Sequence, residues 1–313
     1  MSGSPSVSVL IATKDRERLL AETLAALLAQ RWPRDRYEIL VADNGSTDRT
    51  TDVVEAAARR SDAPRVSYRY IATPGKSHAV NALLDEVTSD LVALTDDDVC
   101  PEPDWLSALV STFGETGTDF IAGRILPRWE AEPPHWLSAA LHGVLAIPDN
   151  GDQRLIVGPD GDGRHVIPIG ANMAVRMSVV RHIGGLRHDL GKLTGTLRTG
   201  EDHEFFLRMV QAGYRGVYEP TAIVRHFVPR ERLNRSYFRR WLYQNGRDVA
   251  RLESAHIRNV RRVLRVPRYL WRQAALDAVS MVKAGMAGDQ RERFTASTRL
   301  IWFGGYVRDS WCA

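Results

Sequence analysis

Three consecutive carboxylates, Asp96, Asp97 and Asp98, end the apolar run LVALTDDDVC. Like charges this close raise one another's pKa unless a cation, a helix N-terminus or open water relieves them. An Asp-x-Asp pair at the mouth of a strand offers hard oxygen ligands to Mg²⁺ or Mn²⁺, which would bridge the phosphates of a bound nucleotide. A solvated helix cap is the competing reading, because PEPDWL follows and can begin a helix.

The elements that must position these acids are legible in the flanking sequence. VSVLIAT (residues 7–13) is β-branched and apolar almost throughout, the pattern of a strand buried on both faces of a parallel sheet. Leu19, Leu20, Leu24, Leu27 and Leu28 then recur at helical spacing. The plan repeats with YEILVAD (37–43) as a strand and 48–60 as a helix, with VSYRYIA as a third strand before a helix over 77–87, and with LVALTD (91–96) as a fourth strand. Such alternation implies right-handed βαβ units, and ligands of these sheets bind beyond the carboxyl ends of the strands. Thr13 and Asp15, Asp43, and Asp96 to Asp98 all fall at those ends, so three loops are expected to converge on one edge. Residues 130–166, punctuated by Pro133, Pro134, Gly151, Gly158 and Gly161, are expected to form an irregular insertion near the site. A helix from Glu201 to Ala212 and a strand AIVRHF follow.

The 313 residues carry a net charge of +4, 44% hydrophobic and 26% charged residues, the balance of a soluble globular protein. Cys100 and Cys312 are the two cysteines, which excludes a disulfide framework or a thiolate zinc site and favours a cytoplasmic compartment. MSGSPSVSVL lacks the pattern of a signal peptide, and no stretch approaches the ~20 apolar residues of a membrane span.

Several motifs in order resemble the family 2 glycosyltransferases of the GT-A fold, from about Val7 to His226. VSVLIATKDR is similar to the opening strand and nucleotide-binding loop, with Asp15 where Asn is more usual. ILVADNGSTDRT is similar to the second motif, whose acid, here Asp43, recognises the base; Asn44 replaces a frequent second Asp. TPGKSHAVNALL resembles the segment beneath the nucleotide and points to Lys76 and Asn81, and LTDDDVCPEPDWL matches the Asp-x-Asp strand end. GANMAVR, with Asn172, looks like the acceptor-side segment. GEDHEFF resembles the Glu-Asp motif, which makes Glu201 an acceptor-side residue and Asp202 the catalytic base. His226 falls where related enzymes place a further metal ligand, and Arg239, Arg240 and Trp241 resemble an Arg-Arg-Trp segment near the acceptor or diphosphate.

The resemblance implies an α/β, GT-A-type architecture: a mostly parallel, doubly covered sheet of Rossmann-like βα units in residues 1–228 and an Arg-rich helical extension in 229–313. It implies an inverting, metal-dependent transfer of sugar from a nucleotide diphosphate, with a UDP-sugar as the first expectation, to a hydroxyl of a surface glycan, a lipid-linked acceptor or a small natural product. Growing charge on the leaving diphosphate needs Mn²⁺ or Mg²⁺ held by Asp96, Asp98 and His226, and the acceptor hydroxyl needs a base. Thr13, Asp15, Asp43, Lys76, Asn81, Asp96 and Asp97 are the expected nucleotide-sugar contacts. Each residue also has a structural reading. Glu201 and Asp202 can cap a helix, His226 can be a satisfied strand residue, Lys76 can contact only water, and Trp105, which could stack on a sugar, can be core.

Arg258 to Arg268 surround Ile257, Val260 and Leu264 at helical spacing, which suits a helix lying on an anionic membrane at the inner face. The next segment sets Trp271, Ala275, Val279 and Val282 on one face and Gln273, Asp277 and Ser280 on the other, a pattern that ordinary packing explains equally well. A sugar-phosphate nucleotidyltransferase would carry a Gly-rich loop after the first strand, and ATKDRERLL has no Gly; a dinucleotide oxidoreductase is disfavoured likewise. A non-catalytic nucleotide-sugar or glycan-binding module predicts loss of the base or of the Asp cluster, whereas candidates for both are present. No recognised nucleic-acid-reading motif occurs, and no nucleic-acid partner is expected.

Overall fold

The computed structural model describes residues 6–158, 160–163, 165–191, 197, 200–256 and 260–312. The chain divides into two compact units, one of Met1–Arg128, Asp149–Thr194 and Glu201–Phe227, the other of Trp129–Pro148, Gly195–Gly200 and Val228–Ala313.

The first unit follows the alternation read from the sequence. Strand β1 (Val7–Thr13) leads to helix α1 (Glu17–Leu28), β2 (Tyr37–Asp43) to α2 (Thr50–Ala58), β3 (Arg65–Tyr70) to α3 (Lys76–Leu84), and β4 (Leu91–Asp96) to the short strand β5 (Val99–Pro101) and α4 (Trp105–Thr116). Then come β6 (Phe120–Trp129), β7 (Leu155–Val157), β8 (Met173–Arg176), α5 (Met177–Ile183), α6 (Glu201–Gln211) and β9 (Gly216–Val228). One nine-stranded sheet has the order β3-β2-β1-β4-β8-β6-β9-β5, with β7 beside β9. The β1–β2, β1–β4 and β2–β3 pairs are parallel, while β8 pairs antiparallel with both β4 and β6, and β5 and β7 pair antiparallel with β9. The fold class is thus α/β, as expected. The core lies on the sheet: Val9, Leu10, Ile11, Ile39, Leu40, Val41, Val92 and Ala93 are all buried, as apolar strands covered on both faces must be.

Register places the chemistry. Thr13 of β1 stands opposite Asp43 of β2, and Ala12 opposite Asp96 of β4, so the carboxyl ends of the three strands lie side by side. The antiparallel pairing of Val99 with His226 brings a histidine far along the chain beside the Asp cluster. Phe227 N–H donates to the Asp98 carbonyl at 2.9 Å, extending that pairing.

In the second unit, α7 (Arg235–His256), α8 (Arg268–Met286) and α9 (Gln290–Cys312) carry the extension. The segment 129–148 packs here, because Trp136 sets its ring edge-on against Phe238 at 5.3 Å and Phe294 at 4.7 Å. Its regular structure is a 3₁₀ turn, Ala139–Leu145, whereas the rest of the 130–166 span expected as an irregular insertion belongs to the first unit and contributes β7 to the sheet.

The basic amphipathic helix expected from Ile257 to Arg268 is not formed over residues 260–267. Ile257, Arg258 and Asn259 lie outside the described residues, and beyond them β10 (Arg262–Val263) and β11 (Val266–Pro267) make a two-stranded hairpin. Leu264 and Arg265 both adopt positive φ, 48° and 65°, the geometry of a two-residue turn between paired Val263 and Val266. Pro267 disfavours helical geometry at Val266, so the helix starts only at Arg268.

Candidate active site

Two cations, one on each side, hold the three carboxylates. Lys76, at the start of α3, donates from Nζ to Asp96 Oδ1 at 2.7 Å. Arg16, just before α1, donates from Nη1 to Asp97 Oδ1 at 2.8 Å and to Asp98 Oδ2 at 2.7 Å. Thr13 Oγ1 donates to Asp97 Oδ2 at 2.8 Å. Two cations against three carboxylates leave the ionised cluster one charge negative, so the relief supplied by the protein is incomplete. Burial pushes the Asp97 carboxyl up to about 6, against the pull of Arg16. Burial also works on Asp96, but the Lys76 ammonium beside it prevails and holds that carboxyl below its usual value. Arg16 was not among the residues singled out from the sequence. The signal for it was the cluster itself, since three adjacent carboxylates, two of them buried, demand more than one cation and Lys76 alone was identified.

The residues present fit a divalent cation. Asp96, Asp98 and His226 each offer one ligand atom, and those atoms all lie within 4.8 Å of one another. Two carboxylates and an imidazole make a mixed oxygen and nitrogen donor set, compatible with Mn²⁺ and acceptable to Mg²⁺. His226 Nε2 approaches Asp98 Oδ1 to 3.3 Å, and both residues are buried.

Asp202 stands on the first turn of α6. Its Oδ2 accepts from Gly170 N–H at 2.9 Å, whereas its Oδ1 is buried with no hydrogen-bond partner among the described residues. A Cβ added at Gly170 would lie 2.9 Å from that Oδ1, so glycine in the GANM segment is what lets the backbone approach the carboxylate. Burial raises the Asp202 carboxyl, with Lys76 opposing. Glu201 beside it is pushed up to about 7, by burial first and by Asp202 second. Lys76 faces Asp96, Asp202 and Glu201 together, so one ammonium links the Asp cluster to the Glu-Asp pair.

The Glu201 value carries a pH dependence. Because it exceeds that of the unfolded chain, its stabilising contribution is full below the ordinary carboxylate range and is lost as the pH rises through about 7. Glu201→Gln should therefore reduce the fall in stability between pH 5 and pH 8 by roughly 1–3 kcal/mol, as read from denaturant midpoints at the two pH values. An unchanged fall would place Glu201 in a wetter setting.

The nucleotide-side loops are tightly braced. Asp43 Oδ1 accepts from Ser46 N–H and its Oδ2 from the Tyr68 hydroxyl, both at 2.8 Å, and each oxygen retains a second acceptor position. Asp15 has φ +50° and accepts from Thr47 N–H at 2.7 Å. That backbone geometry suits Asp and Asn alike, which explains why an Asp can stand where Asn is more usual.

Three of the residues expected at the site bond within the protein. Asn81 donates to the Leu186 carbonyl at 2.7 Å and accepts from Leu186 N–H at 2.8 Å, so both ends of its amide brace the 186 loop. Trp105, expected on the acceptor side, is fully buried and donates from Nε1 to Asn172 Oδ1 at 2.8 Å. Asn172 donates in turn to the carbonyls of Arg124 and Ala222 at 2.9 and 2.8 Å. With its side-chain oxygen and nitrogen both engaged, Asn172 ties α4, β6 and β9 together. Arg239, Arg240 and Trp241 lie on α7 in the second unit, where Arg239 stacks over Phe294 at 5.7 Å and Arg240 is exposed.

The comparisons agree with this geometry. Residues 8–184 match the model of glycosyl transferase family 2. The chain is 29% identical over 243 residues to the succinoglycan biosynthesis protein ExoM of Rhizobium meliloti, spanning 76% of this chain and 72% of that one. It is 34% identical over 152 residues to a pre-mycofactocin glycosyltransferase of Mycobacterium tuberculosis, spanning 49% of this chain but only 30% of that longer protein. Among solved structures, the mannosyltransferase PcManGT from Pyrobaculum calidifontis in complex with GDP-Man and Mn²⁺ superposes with a TM-score of 0.68 at 19% identity, over 99% of this chain and 88% of that one. S. aureus TarS 1-349 in complex with UDP gives 0.55 at 15% identity, over 95% and 90%. The sheet has the GT-A architecture of these neighbours, and the chain belongs to glycosyl transferase family 2.

Proposed function

We propose that the protein is an inverting, metal-dependent glycosyltransferase that moves a sugar from a nucleoside diphosphate to a hydroxyl of a surface glycan, a lipid-linked acceptor or a small natural product. The observation that carries this reading is the pairing of a three-ligand site, Asp96, Asp98 and His226, with an Asp202 whose Oδ1 is buried and unpartnered. A divalent cation in that ligand set supplies positive charge to the departing diphosphate. Asp202 takes the proton of the acceptor hydroxyl as its oxygen bonds to the anomeric carbon and the bond to the diphosphate breaks, and the raised basicity of a buried carboxylate favours that transfer. One displacement from the face opposite the leaving group inverts the anomeric configuration. Lys76 keeps Asp96 ionised for its ligand role, and Arg16 pairs with Asp97 and Asp98. Asp43, through its two remaining acceptor positions, reads the base, with Thr13 and Asp15 shaping the same loop.

A UDP-sugar is the first donor expected, although PcManGT is solved with GDP-Man and TarS with UDP-GlcNAc. Calorimetry with UDP, GDP and dTDP, in Mn²⁺ and in excess chelator, tests both the base and the metal. One nucleotide should bind at least tenfold more tightly in Mn²⁺, and equal affinity under the two conditions for every nucleotide would remove the metal from the scheme. Retention of the donor's configuration in the product would contradict single displacement.

A further inference from the structure

Helix α8 turns two polar residues toward protein. Asp277, the only acid in the helix, is buried and accepts from Gln273 Nε2 at 3.3 Å and from Arg299 Nη1 of α9 at 3.4 Å, while Ser280 donates to Glu292 of α9 at 3.0 Å. Leu270 and Ala284 are buried beside Asp277, whereas five large apolar residues face outward. Tyr269, Leu276, Val279, Val282 and Met286 are each more than half exposed. Their spacing of three, four and seven residues places them on one side of the helix. Trp271 alone of the expected apolar face turns to protein, packing on Phe303 at 5.1 Å. Ordinary packing, one of the two readings open for this helix, would have put Val279 and Val282 inside.

The same face is cationic. Arg268, Arg272 and Lys283 are exposed, and no exposed acid occurs anywhere along the helix. The hairpin that precedes α8 continues the pattern, with exposed Val263 and Leu264 among exposed Arg261, Arg262 and Arg265. It is fixed to the helix and to α9, because Trp271 Nε1 donates to the Val263 carbonyl at 3.1 Å and Trp311 Nε1 to the Leu264 carbonyl at 2.8 Å. No helix among the described residues is long and apolar enough to cross a membrane.

We propose that the outer face of α8, with the tip of the 262–267 hairpin, is a docking surface for an anionic lipid membrane. Apolar side chains enter the boundary between headgroups and acyl chains, and the interspersed Arg and Lys side chains meet the lipid phosphates. Charge complementarity selects this occupant over a second copy of the chain. Two such faces brought together would oppose cations to cations, with no exposed acid on the helix to pair them. The inference is independent of the proposed donor and metal, since it rests on residues outside the candidate active site.

Flotation of the intact protein with vesicles of phosphatidylcholine alone, or of phosphatidylcholine mixed with phosphatidylglycerol, tests it at low and high salt. Binding is expected to the anionic vesicles and to weaken with salt, since exposed charges are screened beyond roughly 8–10 Å. Replacing Arg268, Arg272 and Lys283 by Gln together should weaken partitioning roughly a hundredfold, from about 1 kcal/mol per basic residue. Val279→Glu with Met286→Glu should abolish it while leaving the circular dichroism spectrum and melting temperature unchanged, because both side chains are exposed. Absence of binding at low salt on every vesicle, or undiminished binding by both variants, would overturn the proposal. So would a dimer seen by light scattering without lipid that Val279→Glu dissociates, since a second copy would then cover the face.

Discussion

Replacement of Asp202 by Asn should leave donor binding near normal and lower turnover by about 10²- to 10⁴-fold, the contribution of a positioned general base. The substitution preserves size and the acceptor for Gly170 N–H, provided that the amide oxygen takes the place of Oδ2. It replaces the buried carboxylate, whose Oδ1 has no hydrogen-bond partner among the described residues, by an amide that cannot take up the acceptor's proton. Calorimetric affinity for the nucleotide, measured with Mn²⁺, separates loss of the base from disruption of the site, and circular dichroism separates both from unfolding. Turnover within threefold of wild type would take Asp202 out of the proton transfer. A parallel loss of nucleotide affinity would point instead to the electrostatic link through Lys76, which faces Asp96 as well as Asp202.

The second large effect is structural. Trp105→Ala should destabilise the fold by about 3–5 kcal/mol, because a fully buried indole is deleted and the Asn172 carboxamide oxygen loses its donor. Trp105→Phe keeps most of the apolar body and loses the hydrogen bond alone, so its cost should be nearer 1–3 kcal/mol. Chemical denaturation ranks the two. If Trp105 served the acceptor, both variants would raise the acceptor KM at unchanged stability, and that outcome would overturn its assignment to the core. The site adjoining Asn172 is intolerant for the same reason: a Cβ at Gly123 would come within 2.3 Å of the Asn172 amide.

The sequence by itself determined the first half of the sheet. The β-branched runs 7–13, 37–43 and 91–96 and the helical spacing between them are local signals, and the structure returns β1, β2, β4 and α1 over nearly the same residues. The placement of Thr13, Asp43 and Asp96 at adjoining strand ends follows from parallel pairing of consecutive units, and that much was legible too. The three-residue antiparallel strands β5 and β7 were not legible, since short strands among loop residues carry too little periodicity, and the longer β6 was not identified either.

Partners were decided by tertiary structure, because the atoms that satisfy a buried polar group come from wherever register brings them. Arg16 reaches across 81 and 82 residues to Asp97 and Asp98, and no local feature of ATKDRERLL distinguishes it from the exposed arginines around it. Trp105 and Asn172 are 67 residues apart, and the sequence left Trp105 open between a sugar contact and the core; both are buried and joined by a hydrogen bond. The Arg-rich stretch before α8 satisfies a helical pattern as a string of letters, yet two positive φ values and the proline that follows turn it into a hairpin. Periodicity likewise identified the two faces of α8 but not which one turns inward. That choice fell to the buried Asp277 and its partners Gln273 and Arg299, since a buried charge must be paired wherever the chain supplies a cation.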